Sequence, residues 1–201
     1  MKKKTKKKNF KQKEKNIPSI IIITFLIATT FFLLQHHWDL DWDFSSYVIN
    51  ANYHFHGGDY VEIYRAPLAS LILGPLLFLG KTGEFFYVVL VSVLFLISNL
   101  HLGKTLHSKY FKKFRLTERE FQIIFYLLSL NGFTIYFGTL VGTELLSLAF
   151  FELFLSFLLR EKYSGQFLAL AVLTRYNFLI FAPLMFLNKN IKKILINFAL
   201  F

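Results

Sequence analysis

The stretch from His36 to Gly80 reads HHWDLDWDFSSYVINANYHFHGGDYVEIYRAPLASLILGPLLFLG. It holds five of the twelve carboxylates and four of the six histidines of the chain. The segments around it are either densely basic or apolar over a length that could cross a membrane. We therefore expect a polar, acid-rich loop between membrane anchors, and we expect any chemistry to take place there.

The composition of the whole chain indicates a membrane protein. Of its 201 residues, 55% are hydrophobic and 26 are Phe, whereas soluble domains are about 45–50% apolar. Nine of the 23 Lys and Arg residues lie in the first 15 positions. Despite a net charge of +11, we expect no nucleic-acid partner, because this clustering leaves no soluble fold to carry a basic surface. The absence of Cys excludes disulfides and thiolate metal sites.

The sequence before the central stretch predicts a basic tail and a membrane anchor. Residues 1–16 are expected to form a cytoplasmic tail, and residues 17–34 the first transmembrane helix. A cleaved signal peptide is the alternative, but no small-residue cleavage site follows the apolar run. The lysines hold the N-terminus inside, so residues 35–83 become an external loop.

Two interfacial helices are predicted within that loop. Helical spacing of apolar residues places the first at about 44–56, with Asp43 as its cap. Pro67 suits the first turn of a second helix at about 67–79, which is too short to span a membrane.

Residues 84–201 are expected to form about four to five further membrane helices. We also expect the chain to be incomplete at its C-terminus, because its last apolar run stops mid-helix. Phe85–Gly103 should return to the cytoplasm, since six Lys and Arg against one Glu follow in Lys104–Arg119. Phe121–Phe137 should go back out, after a capping box formed by Thr117 and Glu120. The helix Glu144–Leu159 then returns inside.

The run Gln166–Leu187 is open to two interpretations. It is long enough to cross once, but that would place the lysines that follow it outside. We favour a helix broken near Thr174-Arg175, with both pieces returning to the inner face.

Charged residues inside the apolar segments are costly and usually functional or paired. Glu152 lies ~13 Å along its helix from the outer end, and Arg175 ~16 Å from the inner end of its own helix. Both fall near the midplane, which favours a structural Glu152–Arg175 pair. Glu144 instead opens a helix at the outer surface, level with the loop.

The loop acids and histidines each have a plain interpretation. Asp39, Asp41 and Asp43 could simply be solvated next to interfacial Trp38 and Trp42, or one of them could serve as a general base. The loop histidines could hold a divalent metal, but at helical spacing the pair His54 and His56 diverges, so we expect no cofactor.

The order of these pieces resembles the membrane glycosyltransferases of the GT-C fold, above all the protein O-mannosyltransferase and lipid A aminoarabinose transferase group. The matching motifs are Asp43-Phe44-Ser45-Ser46-Tyr47, then Ala51, Gly58-Asp59-Tyr60, Arg65-Ala66-Pro67-Leu68, Gly142-Thr143-Glu144-Leu145-Leu146 and Leu173-Thr174-Arg175-Tyr176. Two departures are Phe44, where many members have a second acid, and Ala66, which replaces a proline.

The resemblance implies an all-α polytopic membrane protein, multi-pass in the cell membrane with a cytoplasmic N-terminus. It implies inverting transfer of a sugar from a polyprenyl-phosphate donor to an acceptor of unknown identity at the external face. Asp43 would be the catalytic base with Glu144 as an auxiliary carboxylate, and Arg65, Tyr47 and Arg175 would bind substrate. The partners are then the lipid-linked donor and membrane lipid. The alternatives are a non-catalytic truncated or accessory membrane protein, or a transporter fragment.

Overall fold

The computed structural model describes residues 18–38, 42–140, 142–187 and 191–201. Within these ranges every element of secondary structure is helical, which confirms the predicted all-α class. The α-helices are α1 Ser19–Trp38, α2 Trp42–Phe55, α3 Leu68–Leu76, α4 Lys81–Leu106, α5 Glu118–Ser129, α6 Gly132–Phe137, α7 Glu144–Leu159, α8 Gly165–Thr174 and α9 Ile191–Leu200. Short 3₁₀ and π turns extend α3 to Leu79 and α4 to Phe111, and a longer 3₁₀ segment covers Tyr176–Leu187.

Two of the described helices are long and apolar enough to cross a membrane, judged by length and composition. They are α1, with 20 residues, and the continuous helix Lys81–Phe111, with 31 residues. The remaining apolar helices among the described residues are shorter, so the expected four to five further spanning helices are not shown. α7, for example, has 16 residues.

The long helix α4 is the centre of the packing. It lies against α1, α3, α5 and α7, and α7 in turn packs against α8. The larger core lies where α1, α2, α3, α4 and α7 meet and includes the buried side chains of Phe32, Phe44, Tyr87 and Leu145. A second core, around Phe154 and Met185, joins α7 to α8 and the 3₁₀ segment.

The predicted continuous helix over Phe121–Phe137 is wrong, because the chain breaks between α5 and α6. Leu130 leaves the helical region at φ −82° and ψ 47°. The side chain of Asn131 then caps α6 by accepting hydrogen bonds from the backbone N–H groups of Phe133 and Thr134. The capping box at the start of α5 is present as predicted, with Thr117 and Glu120 bonded in both directions.

The break in the last long apolar run falls where it was favoured. α8 ends at Thr174, and Arg175 is extended, with φ −148° and ψ 117°. The tighter 3₁₀ segment begins at the next residue. At the other end of the chain, α1 continues to Trp38, four residues beyond the predicted end of the first helix.

Candidate functional site

A short loop before α3 is held firmly against α2. The side chain of Asn50 in α2 donates to the carbonyl of Glu62 at 3.0 Å and accepts from its N–H at 2.7 Å. The backbone N–H of Arg65 then donates to the carbonyl of Glu62 at 3.2 Å, which closes a turn. The N–H and the carbonyl of Glu62 are both bonded to Asn50, and Arg65 is bonded to Glu62. Arg65 is therefore held in place beside α2.

The first ion pair of the site joins Asp43 to Arg65. Asp43 lies inside the first turn of α2 rather than capping it as predicted. The Nη2 group of Arg65 donates a hydrogen bond to Oδ1 of Asp43. On its other side, Nε of Arg65 lies 3.3 Å from Oε1 of Glu62 but makes no hydrogen bond within the described residues. Glu62 therefore lies beside the buried Nε of the guanidinium group, and a ligand could reach only the exposed remainder of the Arg65 side chain.

Tyr47 supports this arginine from within α2. The guanidinium carbon of Arg65 lies 5.8 Å from the centre of the Tyr47 ring, which is within the range of a cation–π contact. Tyr47 is itself buried, so any effect it has on a bound molecule would pass through Arg65.

The charges around Arg65 favour its protonated form. Partial burial alone lowers the pKa of its guanidinium group, but the hydrogen bond and charge of Asp43, with a smaller contribution from Glu62, raise the pKa above its ordinary value. Side-chain exposure is 23% for Arg65 and 34% for Asp43. Both groups can therefore meet a ligand from solvent.

The second ion pair joins Glu144 to Arg175. Glu144 is the first residue of α7, and its side chain is 9% exposed, whereas that of Arg175 is 33% exposed. Nη1 of Arg175 contacts Oε1 of the carboxylate, and the hydroxyl of Thr143 donates to Oε2 at 3.3 Å. The buried acid is thus fully engaged, while the arginine reaches the surface.

Two contacts bring the ion pairs together. Tyr176, directly after Arg175, donates its hydroxyl to the carbonyl of Arg65 at 3.5 Å. Phe44, directly after Asp43, packs under Gly142, two residues before Glu144, so closely that a Cβ on that glycine would lie 2.5 Å from the Phe44 ring. We call Asp43, Arg65, Glu144 and Arg175 together the paired-arginine site.

The turn before Glu144 is also held by a hydrogen bond from α4. The buried hydroxyl of Tyr87, in α4, donates to the carbonyl of Gly142 at 2.6 Å. Gly142 has φ +87°, a conformation that favours glycine. The position of Glu144 therefore depends on α4 as well as on α2.

The structure brings together five of the residues that the sequence singled out: Asp43, Tyr47, Arg65, Glu144 and Arg175. The expected structural pair of Glu152 and Arg175 is wrong. Glu152 instead accepts hydrogen bonds from Ser98 at 2.6 Å and Asn99 at 2.9 Å, both in α4. Its carboxylate faces α4, while the long side chain of Arg175 extends to the end of α7. Asp39 and Asp41 lie outside the described residues.

Four residues of the site had no role predicted from the sequence: Phe44, Glu62, Tyr87 and Tyr176. A signal existed for Tyr87, because a tyrosine within an apolar run needs a partner for its hydroxyl once it is buried. No local pattern pointed to Phe44 or Glu62, whose roles depend on segments distant in the chain.

The loop histidines have other partners. His36 is fully buried and contacts Glu84 at 3.0 Å, and the ring of His56 lies 2.9 Å from the carbonyl of Gly74. Among the described residues, no group of three or more His, Asp or Glu side chains is placed to hold a metal ion.

Scans of the chain against protein-family models, curated proteins and solved structures found no match. Function must therefore be inferred from the geometry of the paired-arginine site.

Proposed function

We propose that the chain is a membrane glycosyltransferase, or the N-terminal part of one, that transfers a sugar from a polyprenyl-phosphate donor to an acceptor at the external membrane face. The observation that carries the proposal is the paired-arginine site itself. Four separate segments contribute two arginines and two carboxylates to one place, and both arginines are partly exposed. Arginine binds phosphate oxygens with two parallel hydrogen bonds, so two arginines on segments that contact each other through Tyr176 suit a phosphate-linked substrate.

The apolar surface supports a membrane location for this site. Only 28% of the apolar span of α1 is buried within the protein. Large side chains along it, such as Ile23, Leu26 and Ile27, are about half or more exposed. We propose a multi-pass protein with a cytoplasmic N-terminus, in which the polyprenyl chain lies against such helices while its phosphate reaches the arginines.

The proposed chemical step is a single inverting displacement. Asp43 takes the proton of the acceptor hydroxyl as that oxygen forms a bond to the anomeric carbon of the sugar. The bond from the anomeric carbon to the phosphate oxygen breaks, and its electron pair leaves with the polyprenyl phosphate. Arg65 and Arg175 stabilise the charge that develops on the phosphate. Glu144 is too buried to meet the acceptor and positions Arg175 instead.

The ion pairs give this proposal a specific order of events. In the structure the guanidinium group of Arg65 holds the carboxylate of Asp43. A donor phosphate would compete with Asp43 for the same guanidinium group. Asp43 would then become available as a base only once the donor is bound, which limits unproductive attack by water.

The test is sugar transfer in membranes that express the chain, alone and within any longer natural protein, with a radiolabelled polyprenyl-phosphate sugar. Asp43→Asn should lower turnover by roughly 10²–10⁴-fold because the proton acceptor is lost. Donor binding should not weaken, because the carboxylate that competes with the donor phosphate for Arg65 is removed. Arg65→Ala should weaken both donor binding and turnover. Glu118→Gln is the matched control, since it also converts an ion-paired carboxylate, here partnered with Lys104 at 3.4 Å, into an amide far from the site.

Two results would count against the proposal. Full transfer by Asp43→Asn, with loss in Asp39→Asn or Asp41→Asn, would move the base to another carboxylate. No transfer by any version, together with no stabilisation of the purified protein by polyprenyl phosphate, would exclude the enzyme.

A further inference from the structure

A second candidate site lies at the opposite end of α7, where the chain turns into α8. A cavity of about 440 Å³ is lined there by Phe157, Glu161, Lys162, Tyr163, Gln166 and Lys193. Its volume falls within the range of small-molecule sites, which is about 300–1,000 Å³. None of these residues belongs to the paired-arginine site.

The walls of this cavity are fixed by close backbone packing. The side-chain oxygen of Asn197, a buried residue of α9, accepts from the backbone N–H groups of Ser164 at 2.7 Å and Gly165 at 3.3 Å. A Cβ on Gly165 would lie 1.8 Å from the carbonyl oxygen of Asn197. α9 and the start of α8 are therefore held in contact, and this contact brings Lys193 to the cavity.

The turn after α7 is held in an uncommon conformation. Glu161 has φ +56°, and the N–H groups of Glu161 and Lys162 donate back to the carbonyls of Leu158 and Phe157, both at 2.9 Å. This is a Schellman ending with glutamate where glycine is usual. The turn aims the neighbouring Lys162 at the cavity, and Nζ of Lys193 donates to the carbonyl of Glu161 at 2.6 Å.

The polar groups of the cavity define the chemistry of a ligand. Lys162 and Lys193 supply two cations, with one opposing carboxylate on Glu161. The buried Oε1 of Gln166 accepts no hydrogen bond from any described residue, while its Nε2 donates to the carbonyl of Tyr163 at 3.5 Å. A fitting ligand therefore has a phosphate for the lysines and a hydroxyl donor for Gln166. The rings of Phe157 and Tyr163 supply an apolar wall.

We propose that this cavity binds the phosphate of a glycerophospholipid headgroup that also offers a hydroxyl donor, as phosphatidylglycerol does. The positive-inside distribution of Lys and Arg places this end of α7 at the cytoplasmic surface of the membrane. Basic pockets between helices at that level are suited to anionic headgroups. The exposed apolar side chains of α9, such as Ile191 and Leu195, lie beside it for the acyl chains.

The test measures lipid retention by the full chain, purified in a mild detergent. Native mass spectrometry would compare added phosphatidylglycerol, phosphatidic acid and phosphatidylcholine, and a parallel arm would add inorganic phosphate. Replacing Lys162 and Lys193 together by Gln should weaken phosphatidylglycerol binding roughly 30-fold. Replacing Lys112 and Lys113 by Gln removes the same charge from exposed positions outside the cavity and should leave binding unchanged.

A second variant separates this site from general attraction to anionic lipid. Gln166→Leu keeps every charge but removes the acceptor, so it should abolish the preference for phosphatidylglycerol over phosphatidic acid. Equal losses from both lysine pairs would overturn the proposal, as would binding of phosphatidylcholine as tight as that of phosphatidylglycerol. Binding of inorganic phosphate with no lipid effect would show a free-phosphate site and would overturn the assignment to a headgroup.

Discussion

Phe44 follows the proposed base directly and is only 1% exposed. Its ring lies 4.5 Å from that of His36 and 6.1 Å from that of Tyr87, edge to face in both cases. An acid at this position would be buried among aromatic rings, so the residue serves packing in this chain. It ties the start of α2 to the turn before Glu144.

Gly142→Ala should disturb this contact strongly. The alanine would be strained at φ +87°, and its Cβ would lie 2.5 Å from the Phe44 ring. We expect a loss of about 1–3 kcal/mol in the free energy of unfolding, measured by chemical denaturation in detergent. Gly132→Ala is the control, because nothing lies within 4 Å of a Cβ there. Equal free energies of unfolding for the two variants would show that the contact between Phe44 and Gly142 does not contribute to stability.

Glu161→Gly should have the opposite sign. Glycine adopts a φ of +56° without the steric cost that glutamate has there. The glycine variant loses more conformational entropy on folding, which offsets part of this gain. The net gain in the free energy of unfolding should be about 0.5–1 kcal/mol. Lys162→Gly is the control. It has the same entropic cost on folding but relieves no backbone strain, because Lys162 does not have a positive φ, so it should be destabilising. A loss of stability in Glu161→Gly would show that its side chain contributes to the fold.

At the scale of elements, two clusters of polar side chains join α4 to α7 and to the residue that follows it. Near the middle of α7, Glu152 bonds to Ser98 and Asn99. Closer to its end, Ser156 bonds to Thr105 at 2.6 Å and to a ring nitrogen of His101 at 2.8 Å. Arg160 completes the second cluster by donating to Thr105 at 2.8 Å. In an apolar setting such bonds fix how two helices are rotated against each other.

Replacing Glu152 tests the first of these clusters. Glu152→Leu leaves the side-chain amide of Asn99 without its acceptor, so it should cost about 1–2 kcal/mol of unfolding free energy. Glu152→Gln keeps an acceptor, and its amide can donate to Oδ1 of Asn99, which has no partner among the described residues. We expect a change below about 0.5 kcal/mol for that variant. Equal destabilisation of the two would mean that the negative charge itself is required.

The helices were far easier to predict than their pairings. The bounds of α7 and the capping box of α5 follow from signals within a few residues: an apolar run that ends before Arg160, and a Thr-x-x-Glu pattern. The break at Arg175 was predicted from the lysines that follow Leu187. The partner of Glu152 could not be found in this way. The position of Glu152 along its helix predicted how deep the residue lies, but not the direction in which its side chain points. That direction depends on how the helix is rotated about its axis, which is set by tertiary packing. The same limit explains why the contact of Tyr176 with Arg65 was not predicted.

At the scale of the whole molecule, the described surface carries many large apolar side chains. They include Ile23 at 56% exposure, Phe78 at 73% and Ile180 at 76%. Soluble monomers seldom expose contiguous apolar patches beyond a few hundred Å². Trp38 and Trp42, both more than three-quarters exposed, suit the boundary between lipid and water.

The proposed topology can be tested with single cysteines, because the chain has none of its own. In intact cells, a membrane-impermeant thiol reagent should label His54→Cys, at an exposed position in α2. It should label Ser108→Cys, in the basic segment after α4, only after permeabilisation. His54 is preferred to Ser46 as a reporter because Ser46 is 2% exposed. The reverse pattern would invert the whole arrangement.

Because Tyr176–Leu187 is wound as a 3₁₀ helix, the segment is longer than an α-helix of the same residues would be. Its 12 residues cover about 24 Å at a rise of about 2.0 Å each, whereas an α-helix of the same residues would cover about 18 Å. Rewinding would draw its ends together by about 6 Å. One of those ends is Tyr176, which contacts Arg65, and it follows Arg175, which holds Glu144. Because Tyr176 contacts Arg65 and directly follows Arg175, a change in the pitch of this segment that moved its first residue would act on the paired-arginine site.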